Sequence, residues 1–156
     1  MGDRKNAART LNDLSVVLVD LGNYAQAQEM FERTLELRQT LHDRKGIGVS
    51  LQHLGWVALL CQQAPRAVRY FEESYQHLAS IGYRFGMALT LVRWGYACLQ
   101  FDDDDHARQK FMEGLTIAAQ IGARAVGLMG LLGIAEDACP SWGRRPGLWI
   151  AGGNPA

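Results

Sequence analysis

The sequence predicts an all-α fold, a solenoid of antiparallel helix pairs with about seven helices, and three observations carry that prediction. First, a 40-residue period runs through the chain, marked by Arg4, Arg44, Arg84 and Arg124. Second, within each period apolar residues recur at spacings of three and four, which places them on one helical face. Third, no stretch alternates apolar and polar residues, so no sheet is expected.

The period holds column by column. Leu11, Leu51, Leu91 and Leu131 align, as do Leu14, Leu54, Trp94 and Ile134. Thr10, Ser50, Thr90 and Gly130 form one small-residue column, and Ser15, Gly55, Gly95 and Ala135 form another. Ala27, Ala67 and Ala107 are each followed four residues later by Phe31, Phe71 and Phe111. The chain therefore divides into units 4–43, 44–83 and 84–123, a partial unit 124–138, and a remainder 139–156. Residues 1–138 form the expected repeat array.

Each unit reads as two helices. In the first, Leu11, Leu14, Leu18 and Leu21 mark the buried face of the leading helix. Gly22 breaks the pattern, and Asn23 stands where an N-cap is wanted. Ala27, Phe31, Leu35 and Leu41 continue an apolar stripe along the second helix, and Glu29, Glu32, Arg33, Glu36 and Arg38 make its exposed, charge-paired face. In the second unit Asp43 caps the leading helix, while Gly55 admits the close approach of its partner and Phe71 fills the seam. Gly82 suits the left-handed position after a helix C-terminus. The third unit repeats this with Gly95, Phe111 and Gly122. Turns are expected near residues 22, 42, 62, 82, 102 and 122. A lone hairpin cannot bury both faces, so stacking of neighbours is what stabilises the array.

On these residues the chain resembles the tetratricopeptide repeat. The matches are Leu51, Leu54, Gly55, Ala58, Ala67 and Phe71, then Leu91, Trp94, Gly95, Cys98, Ala107 and Phe111. The resemblance covers about residues 4–138 and implies a right-handed superhelix with a concave face made by successive leading helices. Two features depart from the family pattern. The closing Pro is replaced by Gln39, Ala79 and Ala119, and the period is 40 rather than 34 residues. The longer period, and phrases such as Leu37-Arg38 and Asp43-Arg44-Lys45-Gly46-Ile47, are similar to the sensor regions of large bacterial ATP-dependent transcriptional regulators.

Composition bounds the function. The 156 residues carry 16 Lys+Arg against 16 Asp+Glu, so no basic excess suits a nucleic-acid backbone. No apolar run approaches the roughly 18 residues of a membrane span, and the polar start MGDRKNAARTLNDL is no secretory signal. Cys61, Cys98 and Cys139 lack paired spacing, so neither a disulfide framework nor a zinc site is indicated. Cys61 and Cys98 read as small buried hydrophobes. A cytoplasmic protein is the expectation.

No constellation carries catalysis, metal or cofactor. Asp102-Asp103-Asp104-Asp105-His106 falls in a turn and helix start, where carboxylates meet the positive end of the dipole, and it lacks calcium-loop spacing. His42, His53, His77 and His106 sit at unrelated repeat positions. Gly46 and Gly48 serve packing rather than phosphate. What remains is a groove. The resemblance maps its concave positions to Asn12, Val16 and Val19, then Gln52, Trp56 and Leu59, then Val92, Tyr96 and Leu99. The family's carboxylate-gripping Lys and Asn pattern is absent from them. Trp56 is open to two readings, an anchor for a partner or part of the core.

The fourth unit begins in register and lapses after Ala138 into Cys139-Pro140-Ser141-Trp142-Gly143-Arg144-Arg145-Pro146-Gly147, as though a longer array were cut or read in another frame. Residues 124–135 have no charge beyond Arg124, so that helix is left with an apolar face. Trp142, Leu148 and Trp149, or a second chain, should cover it. The expected function is a non-catalytic interaction module for a protein, a peptide or a small ligand, without direct nucleic-acid or membrane partners. The alternative is a scaffold that self-assembles into homo-oligomers through helix 124–138 and the tail.

Overall fold

A computed structural model describes residues 2–138. The irregular tail expected at 139–156, with Trp142, Leu148 and Trp149, lies outside the described residues. Seven helices follow one another: α1 (Gly2–Asp20), α2 (Tyr24–Thr40), α3 (Arg44–Leu60), α4 (Ala64–Ser80), α5 (Arg84–Leu99), α6 (Asp104–Ile121) and α7 (Arg124–Ala138). Among the described residues there is no strand. Each helix packs on its successor, and α3 also touches α5 as α5 touches α7. The leading helices thus lie side by side along the stack, as an all-α solenoid requires.

The turns fall where the period puts them. One residue in each adopts left-handed backbone: Gly22, His42, Gln62, Gly82, Asp102 and Gly122, with φ between 51° and 78°. Asp43 caps α3 by accepting from the Gly46 amide at 3.0 Å. Asp103 caps α6 in the same way through the His106 amide, with Asp104 and Asp105 in the first turn. Asn23 precedes α2, but its side chain makes no capping bond. The local backbone, not that amide, ends the turn.

The repeated Ala and Phe build the core. Ala27, Ala67 and Ala107 are fully buried, and so, to within 1%, are Phe31, Phe71 and Phe111. A Cβ at Gly55 would stand 2.7 Å from Phe71, and one at Gly95 2.6 Å from Phe111, so each ring rests directly on helix backbone. Packing this close gives interior density without voids.

Three expectations are corrected. Leu14 and Leu21 do not face a core: Leu14 is 49% exposed where its register mate Leu54 is 1%. Leu54 is covered by α2, whereas no described helix precedes α1. Arg38 is buried rather than part of an exposed charged face, because its Nη1 donates to Asn12 Oδ1, the Gly46 carbonyl and Ser50 Oγ. Cys61 sits exposed in the α3–α4 turn. Cys98 is buried as expected, and burial first, then Asp103, pushes its thiol up to about 11. Such a thiol is inert at neutral pH.

Candidate functional site

The positions mapped to the groove lie on α1, α3 and α5, and most of them join one leading helix to the next. Asn12, Gln52, Trp56, Leu59, Val92 and Tyr96 are all buried. Asn12 Oδ1 accepts from Arg38 and stands 3.2 Å from His53 Nδ1. Gln52 Nε2 donates to the Gly86 carbonyl at 3.1 Å and to Thr90 Oγ1 at 2.7 Å. Leu59 is 1% exposed and Val92 not at all, so neither presents surface to a partner. Val16, Val19 and Leu99 stay partly exposed.

Trp56 lies under a guanidinium, with the Arg93 Cζ 4.5 Å from the ring centroid. Arg93 is the least comfortable group in the array. Its Nε and Nη1 are enclosed without a hydrogen-bond partner among the described residues, and burial brings its pKa down to about 10. His53 stacks on Phe31 at 4.9 Å between centroids. Burial first, then Arg93 and Arg38, push its pKa down to about 3.

Tyr96 and Leu99 lead to a mapped region that opens outward as a pocket. They line a pocket of about 420 Å³ at the C-terminal ends of the leading helices. The end of α5 also contributes Gln100, Phe101 and Asp102; the start of α4 adds Ala64 and Pro65, with Gln62 from the turn before it. Glu136 and Asp137 close it from the last turn of α7. The Tyr96 ring meets Phe111 edge-on, 5.0 Å between centroids, and its hydroxyl donates to the Met129 carbonyl at 3.0 Å. Gln100 Nε2 donates to the Leu59 carbonyl at 3.0 Å, which leaves Gln100 Oε1 enclosed and unpartnered.

The pocket is acidic. Asp137 is held by Arg108 through Nη2 at 2.7 Å and Nε at 3.1 Å. Glu136 has no such partner among the described residues, and partial burial raises its pKa above the ordinary carboxylate value. Burial first, then Glu136, pushes the Tyr96 phenol upward. Sequence reasoning passed over Gln62, Gln100 and Glu136. The available signal was register, since Gln62 aligns with Asp102 and Tyr96 with Glu136 one period on.

Among the described residues no group of three His, Cys, Asp or Glu side chains could hold a metal ion. Among the described residues no helix is long and apolar enough to cross a membrane. A comparison with curated proteins found no match. Residues 6–80 match the family model described as tetratricopeptide repeat. The same helix pair returns in register as α5 and α6, so the described residues form an all-α helical solenoid similar to the tetratricopeptide repeat.

Proposed function

We propose that the chain is a non-catalytic module that binds a protein or peptide at the edge of its leading helices. The observation that carries this reading is the pocket holding Tyr96 and Leu99, the point where the mapped concave positions reach solvent. Its walls combine aromatic and aliphatic surface with a few convergent polar groups, the usual make-up of a recognition site. Similarity of the 40-residue unit to bacterial regulator sensor regions supports a finer proposal, that the chain is a fragment or relative of such a region and acts in the cytoplasm.

Selection of displayed peptides on the immobilised full chain tests the binding reading. Enriched peptides should lose roughly tenfold or more in affinity for Phe101→Asp or Leu99→Ala, losses typical of an anchor position. Phe101 is 46% exposed, so the fold tolerates its replacement. Absence of enrichment, or peptides indifferent to both changes, overturns the reading. Self-assembly is the second reading, and exposed leucines favour it at both ends of the array: Leu14 on α1 and Leu21 in the turn after it, Leu128, Leu131 and Leu132 on α7.

A further inference from the structure

We propose that the pocket between the ends of α5 and α7 receives the basic side chain of a partner peptide, with the Glu136 carboxylate as its counter-ion. The inference rests on the interaction reading above and gives it a chemistry.

Three observations converge on a cation with an apolar stem. Glu136, Asp137 and Asp102 line the pocket, and no Lys, Arg or His is among the described residues that do. Arg108, which reaches the end of α7, is engaged with the neighbouring Asp137 through two bonds to one oxygen. The rest of the wall is Tyr96, Leu99, Phe101, Pro65 and Ala64, a surface suited to the methylenes of a long side chain. A guanidinium can also lie against the faces of aromatic rings.

Glu136 itself behaves as an acid lacking its partner. Burial raises its pKa, and among the described residues no cation or donor is paired with it. A carboxylate held this way is costly in isolation and favourable when paired. Neither the fold nor the core needs it: Tyr96 satisfies its hydroxyl on the Met129 carbonyl, and Arg108 anchors the end of α7 through the neighbouring Asp137. A volume of about 420 Å³ admits one arginine or lysine side chain with its flanking backbone.

N-acetyl-arginine amide is the probe, and its citrulline counterpart, alike in shape but uncharged, is the control. Heteronuclear NMR on the full chain should show saturable shifts of the Leu99, Gln100 and Glu136 amides with the arginine compound, on the order of millimolar affinity for so small a ligand. The citrulline compound should leave them in place. Glu136→Gln should weaken the arginine compound roughly tenfold, as loss of a charge-assisted bond does, without lowering the unfolding temperature. The chain's own Arg144 and Arg145 are a second source of the same chemistry. If they occupy the site, shifts appear only in R144Q/R145Q, which overturns the partner peptide as occupant and assigns the cation to the chain itself. No shift in either form, equal response to citrulline, or indifference to Glu136→Gln overturns the proposal. Selected peptides that bind at Phe101 regardless of Glu136 would leave the interaction reading standing and remove this inference alone.

Discussion

At the residue scale, the structure separates two roles that an aromatic side chain can hold at the same repeat position. Trp56 is 7% exposed and roofed by Arg93, so it belongs to the seam between α3 and α5. Trp56→Ala is expected to cost about 3–5 kcal/mol of folding stability, measured by urea unfolding; an unchanged midpoint would return it to the binding surface. Arg93→Met should act in the opposite direction. It keeps the stem and removes enclosed donors that have no partner, at the loss of one cation–π contact, for a net gain of about 1–2 kcal/mol. His53 gives a pH signature. Its pKa is about 3 in the fold against an ordinary 6.5, so the unfolded chain takes a proton that the folded one refuses. Its contribution is complete above about 6.5 and is lost as pH falls toward 3, at roughly 1 kcal/mol per pH unit within that window. Unfolding of His53→Gln followed across pH should lack this slope. None of these environments was legible beforehand, because a large ring suits both a groove and a seam, and only the neighbour across the helix pair decides.

At the element scale, the helices were legible because Ala and Phe recur against Gly in columns that no other arrangement explains. The polar joints between units were not, because their donors change position. At the first joint Arg38 of α2 serves the Gly46 carbonyl and Ser50 Oγ. At the second, Leu78 replaces the arginine, and Gln52 of α3 serves the register mates, Gly86 and Thr90. At the third the corresponding places hold Val92, Ala118, Val126 and Gly130, all buried and none offering a side-chain hydrogen bond. The first two joints are satisfied by different elements, and the third is apolar. Reading one column at a time cannot show that compensation. It predicts non-additivity: Gln52→Val should cost about 1–3 kcal/mol by removing the donor to Thr90 Oγ1, which then keeps only the longer contact to Ser74 Oγ at 3.3 Å, while adding Thr90→Ala should recover part of the loss. A double-mutant cycle by chemical unfolding measures the coupling, and strictly additive losses would contradict it.

At the scale of the whole molecule, the two ends of the array differ in what they lack. The exposed leucines of α1 lie where a second helix of a preceding unit would pack, as α2 packs on α3. Those of α7 lie where its own second helix would pack, as α6 does on α5. Both ends of the described array are leading helices, so stacking them end to end would place like on like and could not continue the alternation. Nor does the following sequence supply the missing partner, since Gly147 and Ala151 stand in register where Ala107 and Phe111 precede them. Apolar patches of this kind rarely stay bare, so the test asks whether residues 139–156 or a second molecule covers α7. Leu128→Glu with Leu131→Glu distinguishes the two. Both side chains are already 49% exposed or more, so helical content should hold. If a second chain covers the face, sedimentation velocity should show a fall in mass for the variant. If Trp142 and Trp149 cover it, mass stays constant and tryptophan emission shifts to longer wavelength as the rings enter water. A variant that matches the parent in both mass and emission would show that the leucines of α7 face solvent alone.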